Sequence, residues 1–116
     1  MQIVNVKAYG GVRAAREAGV VYCGRGSPLG NPFRIGKDGT REEVIAKFRT
    51  WLWRQLTSNN RDVQEALEAL REDSTLACHC APRDCHCSII ERAWVWWARE
   101  GRGLYGVQPG ADVSGG

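Results

Sequence analysis

Four of the chain's five cysteines and both of its histidines fall within ten residues, Cys78-His79-Cys80-Ala81-Pro82-Arg83-Asp84-Cys85-His86-Cys87. Thiols and imidazoles this crowded point to a reactive thiolate or to a metal. In an extended strand Cys78 and Cys80 share one face and His79 takes the other. Pro82 and Asp84 then turn the chain, which places Cys85-His86 on the first turn of the following helix. The unpaired N–H groups and positive dipole end of a helix stabilise a thiolate there. An adjacent imidazole can act as acid or base, or hydrogen-bond a ligand phosphate. Cys85 and His86 are therefore the candidate catalytic pair. Zinc on Cys78, Cys80, Cys85 and Cys87 is the competing chemistry. Structural zinc sites favour C-x2–4-C knuckles held apart by a spacer. Here the pairs are C-x-C with four residues between them, and the last thiol sits inside a helix start. The plain structural alternative is burial, because free cysteine is among the most buried residue types; Cys78 suits it best.

A second segment, Gly24–Phe33, is too rich in glycine and proline for regular structure. Its glycines at 24, 26 and 30 permit positive φ and a close approach of backbone N–H groups to an anion. Ser27 and Asn31 add short polar side chains, while Arg25 and Arg34 bring charge suited to phosphate or carboxylate. Arg25, Gly26, Ser27, Gly30, Asn31 and Arg34 are the candidate ligand-binding residues. The sequence is neither a Walker loop nor G-x-G-x-x-G, so no named nucleotide motif applies. A structural turn shaped by its prolines and glycines is the alternative.

The elements that must position these residues follow from periodicity. Gln2–Tyr9 reads as a strand, Val12–Ala18 as a short helix ending at Gly19, and Val20–Cys23 as a buried strand. Thr40 with Glu43 forms a capping box that opens a helix from Arg41 to about Leu56. Its inward stripe is Val44, Phe48, Trp51, Leu52 and Gln55/Leu56. Asn60 caps a second helix over Arg61–Glu72, with Val63, Ala66, Leu67 and Leu70 inward. Thr75–Cys80 reads as a strand. A third helix runs from Cys85 or His86 to Arg99 with Ile89, Ile90, Ala93, Trp94 and Trp97 in its stripe. Leu104–Val107 reads as an edge strand. The pattern predicts an α/β fold: a small, mainly parallel, Rossmann-like sheet of three to five strands flanked by three main helices. Residues 1–108 form one domain and 109–116 a flexible tail. Ligands of such sheets bind beyond the carboxyl ends of the strands, and both suspicious segments follow strands.

Composition narrows the function classes. The chain has 116 residues, 43% of them hydrophobic and 25% charged, as in ordinary globular proteins, which excludes wholesale disorder. The longest strictly apolar run, Ala93–Ala98, is too short for a membrane span. Residues 1–7 lack the features of a signal peptide, so no membrane partner and a cytoplasmic location are expected. Residues 1–60 carry ten basic and four acidic side chains, a net +6, and the remainder nets −3. A basic half of this size can meet phosphate without being a dedicated DNA coater. Of the five tryptophans, Trp51, Trp94 and Trp97 fit the core stripes. Trp53 and Trp96 lie off them and, beside Arg54, Arg92 and Arg99, offer an exposed binding or oligomer surface.

The runs Val21–Phe33, Thr40-Arg41-Glu42-Glu43 and Leu76-Ala77-Cys78-x-Cys80-x-Pro82-x-x-Cys85-His86 resemble a small family of bacteriophages and bacteria, domain of unknown function 4326. The resemblance spans about residues 3–98 and implies a chain working in a bacterial or host cytoplasm. The family carries no settled activity. In its pattern the Cys-His pair is followed by glycine and an acidic residue; here Cys87 and Ser88 stand in those places. Cys87 is thus peculiar to this chain rather than a family-wide ligand. The resulting expectation is a phosphate-bearing small ligand, of nucleotide type, held between the Gly24–Arg34 loop and the Cys85-His86 helix start. Group transfer or hydrolysis by Cys85 as nucleophile and His86 as acid/base extends it. A binding module for nucleic acid or protein, with or without zinc, using the basic half and the exposed tryptophans, is the alternative.

Overall fold

Three strands, β1 (Gln2–Asn5), β2 (Val21–Tyr22) and β3 (Thr75–Cys78), form an all-parallel sheet in the order β1-β3-β2. The computed structural model describes residues 1–79 and 86–106. In register, Asn5 lies beside Cys78 and Tyr22 beside Ala77. All three carboxyl ends therefore share one edge of the sheet.

Alternation of side chains along the strands divides the core in two. Ile3, Val21, Leu76 and Cys78 face the larger cluster, built with α2 (Arg41–Thr57), α3 (Arg61–Glu68) and α4 (His86–Trp96). Val4, Tyr22 and Ala77 face the smaller one, completed by Val6 and Val20 and by Val12 and Ala15 of α1 (Val12–Glu17). Covering both faces explains why β3 reads as a continuous apolar run rather than an alternating one.

The capping box at α2 forms as the sequence predicts: Thr40 Oγ1 accepts from the Glu43 N–H and Glu43 Oε1 accepts from the Thr40 N–H. Val44, Phe48, Leu52 and Leu56 are buried beneath it. Asn60 caps α3 through the Val63 N–H. Gln64, fully buried on α3, donates to the carbonyls of Leu56 and Tyr105 and ties the helix ends together.

Several boundaries differ from the sequence reading for local reasons. The first strand stops at Asn5, whose side chain accepts from the Lys7 N–H and starts a 3-10 turn over Val6–Tyr9. The second helix ends at Glu68, and beyond it the Ser74 hydroxyl accepts from the Arg71 N–H in the turn that leads into β3. The expected edge strand at Leu104–Val107 is corrected: α4 runs on through a π-helical turn, Trp97–Gly101, into α5 (Arg102–Tyr105), and residue 107 lies outside the described residues. Gly101 permits this continuation. A side chain there would collide with the Trp96 ring, which instead lies over the bare backbone and packs near Tyr105. Trp97 is in the core as expected, while Trp51 and Trp94 are only partly buried. Trp53 is half exposed, and Trp96 is partly covered.

Candidate functional site

The Gly24–Arg34 loop leaves β2 at the same sheet edge from which the chain leaves β3 toward α4. Its path is set by its own hydrogen bonds. Ser27 donates to the Gly24 carbonyl through both its backbone N–H (3.1 Å) and its hydroxyl (2.7 Å), and the Gly30 N–H donates to the Ser27 carbonyl at 3.0 Å. Asn31 Oδ1 accepts from the Phe33 N–H at 2.9 Å. Arg25 reaches across the loop, its guanidinium donating to the Asn31 and Phe33 carbonyls at 3.3 and 3.2 Å. Ser27, Asn31 and Arg25 are thus structural members of the loop whatever else they bind. Of the three glycines expected to use positive φ, only Gly26 does so (φ +87°). Gly24 and Gly30 are needed for close approach instead, each being buried with no room for a Cβ.

His86, the first residue of α4, is 7% exposed. Its Nε2 meets the Cys23 carbonyl at the end of β2. A carbonyl only accepts, so Nε2 carries the proton, and in the neutral ring Nδ1 is the basic nitrogen. The Phe48 ring abuts the imidazole edge-on at 5.1 Å. Burial pushes the His86 pKa below its ordinary value; the hydrogen bond to Cys23 and the Cys78 thiol oppose that shift, and Arg25 adds to it. At neutral pH the ring is uncharged, as a proton acceptor must be.

These elements enclose a cavity of about 90 Å3 that is lined by His86, by Arg25 and Asn31 of the loop, and by Arg41. Phe33, Ile35, Val44 and Ile45 supply its apolar side. Arg41 comes from the first turn of α2 and His86 from the first turn of α4. The other side of the loop forms a shallower groove of about 370 Å3. Gly26, Ser27, Gly30 and Arg34 line this groove together with Trp51, and Arg25 and Asn31 line both spaces. Hence only Arg25 and Asn31 of the six predicted ligand residues share the cavity with His86. Arg41 escaped the sequence reading, although the capping box at Thr40 places residue 41 on the first helical turn beside the loop.

The remaining predicted site residues are placed differently. Cys85, expected as the nucleophile, and Cys80, of the alternative zinc set, lie outside the described residues. Cys78 and Cys87 are buried in the larger core cluster. Among the described residues, no three His, Cys, Asp or Glu side chains gather as a metal-holding group. His79 is exposed, its ring edge-on to Tyr22 at 6.0 Å, and its carbonyl accepts from Asn5 Nδ2 at 3.2 Å.

The loop, the capping box and the helix-start histidine lie within residues 4–96, the span over which the chain matches the family described as Domain of unknown function (DUF4326). The chain belongs to the DUF4326 family. No curated protein and no solved structure matched it in the corresponding searches. Among the described residues, no helix of this DUF4326 member is long and apolar enough to cross a membrane.

A pH prediction arises from the buried imidazole. Because the native pKa of His86 is depressed, the unfolded chain binds its proton first as pH falls. Stability associated with the neutral ring is complete above about pH 6.5 and declines below it, until the native pKa is passed. The expected slope there is at most about 1.4 kcal/mol per pH unit. Glu43, whose pKa is lowered by its bonds to Thr40, acts only below about pH 4.5, in a separate window. Urea unfolding between pH 7 and 5 should show the loss in the wild type and not in His86→Gln. An identical decline in both proteins contradicts the assignment.

Proposed function

We propose that the chain binds a phosphate-bearing small molecule, of nucleotide type. Its anionic group would sit in the Arg25–Asn31–Arg41–His86 cavity and the rest of it along the outer groove beside Trp51. The observation that carries this reading is that two guanidiniums, an amide and a buried neutral imidazole line one small cavity at the carboxyl edge of a parallel sheet. Guanidinium groups suit phosphate by charge and by their forked donors. A space of 90 Å3 is well below the ~300 Å3 at which whole-ligand pockets begin, so it suits one anionic group rather than a complete nucleotide. The adjoining groove shares Arg25 and Asn31 and offers an indole on which a base can lie. Turnover, as group transfer or hydrolysis, belongs to this reading with Cys85 as nucleophile and His86 as acid/base.

Thermal unfolding in the presence of inorganic phosphate and a panel of nucleoside mono-, di- and triphosphates tests it. At a hundred times Kd, a bound ligand adds about 2.7 kcal/mol, or roughly 11 °C in Tm for a chain of this size. Arg41→Gln is expected to abolish the ligand-dependent rise, each protein being compared with its own ligand-free Tm. No rise with any member of the panel, or an undiminished rise in Arg41→Gln, overturns the reading.

A further inference from the structure

A second opening lies between α2 and α4 and shares no lining residue with the His86 cavity. Its volume is about 240 Å3, and its floor is aliphatic: Leu52 and Leu56 from α2, Ile89 and Ala93 from α4. Trp53 and Trp96 close one wall, their ring centroids 4.8 Å apart and their planes tilted by 48°. Trp53 remains 50% exposed despite this contact. Arg49 and Arg92 also line the opening, one from each helix. Among the described residues neither has a carboxylate partner.

We infer that this groove docks an acidic amphipathic helix of a partner protein, its apolar side chains filling the floor and its carboxylates pairing with Arg49 and Arg92. The charge of the rim is what selects the partner: no acid lines the groove, so an acidic helix completes it. The space is smaller than the roughly 300–1,000 Å3 of small-molecule sites, yet it suits the few anchor side chains of a helix laid in a groove. A nucleic acid fits less well. The floor offers no donors or acceptors for base edges, and the two indoles already pack on one another. A second copy of this chain also fits less well. The acidic helix α3 carries none of the exposed large hydrophobic side chains, which among the described residues are Tyr9, Ile35, Trp53, Val95 and Leu104.

The test uses the full chain and a synthetic sixteen-residue peptide, with Leu and Phe at i, i+4 and i+7 and Glu flanking them. A version with Lys in place of Glu and a single-stranded oligothymidine serve as comparators. Titration followed by indole N–H resonances should show the Glu peptide perturbing Trp53 and Trp96. The double variant Arg49→Glu/Arg92→Glu, both positions being exposed, should retain the wild-type Tm and weaken that binding at least tenfold. It should also bind the Lys peptide more tightly than the wild type does. The inference fails if the Glu peptide does not bind or if both peptides bind equally. It fails likewise if oligothymidine displaces the peptide from the same indoles, or if the wild type proves to be a dimer that the double variant dissociates.

Discussion

Phe48→Ala is expected to lower the free energy of unfolding by about 4 kcal/mol, within the range for truncating a buried phenylalanine. The ring is fully buried, stacks on Trp51 at 5.7 Å and meets the His86 imidazole edge-on at 5.1 Å. Its loss removes the transfer free energy of the side chain, leaves a cavity, and forfeits two aromatic contacts of about 0.5–1.5 kcal/mol each. Since native domains are stable by only about 5–15 kcal/mol, a substantial part of the total is at stake. There is a second, chemical consequence. Burial is the main cause of the depressed His86 pKa, so water entering the vacated space raises that pKa toward its ordinary value. Equilibrium unfolding in urea measures the first effect, and NMR titration of the imidazole the second. A loss below about 1.5 kcal/mol together with an unmoved titration would contradict the packing assigned to Phe48.

Gly30→Ala is the second large effect, and it acts through backbone rather than core. A Cβ at residue 30 would lie 2.2 Å from the Gly24 carbonyl oxygen and 3.1 Å from that of Ser27. Both are backbone atoms inside the loop's own turns, and neither can rotate away as a side chain can. The expected cost is about 3 kcal/mol, the upper end for overpacking. Gly26→Ala, where a Cβ meets nothing within 4 Å but φ is +87°, should cost only about 1–2 kcal/mol. Displacing the loop also moves Arg25 and Asn31 relative to His86, so Gly30→Ala should lose ligand-induced stabilisation as well. Equal destabilisation by the two alanines would mean that positive φ, and not the contact with Gly24, decides the shape of the loop.

Much of this was legible before any coordinates, for identifiable reasons. Capping and amphipathic periodicity are local, so Thr40, Glu43, Asn60 and the stripe Val44-Phe48-Leu52-Leu56 could be read from spacing alone. The errors also have local causes. Asn5 resembles a strand residue until its side chain is seen to bond the Lys7 N–H. Leu104-Tyr105 resembles a strand until Gly101 lets the last helix run on beneath Trp96. For the site, the glycine-rich loop and the Cys-His pair stand out by composition. Arg41 does not: the capping box puts it on a helix's first turn after the loop, but spacing does not show that this turn meets His86.

By itself the sequence determined the three main helices, the caps at Thr40 and Asn60, the presence of two unusual segments, and the lopsided charge. These depend on interactions within a few residues, which spacing encodes directly. Only the tertiary structure decided that β3 lies between β1 and β2, with all three carboxyl ends at one edge. That order brings His86 against the Cys23 carbonyl, sixty-three residues away in the chain. It also sorts the loop's residues, turning Arg25 and Asn31 toward the imidazole and leaving Gly26, Ser27, Gly30 and Arg34 on the outer groove. Contacts of such separation are selected by the packing of whole faces against one another, which no local pattern records.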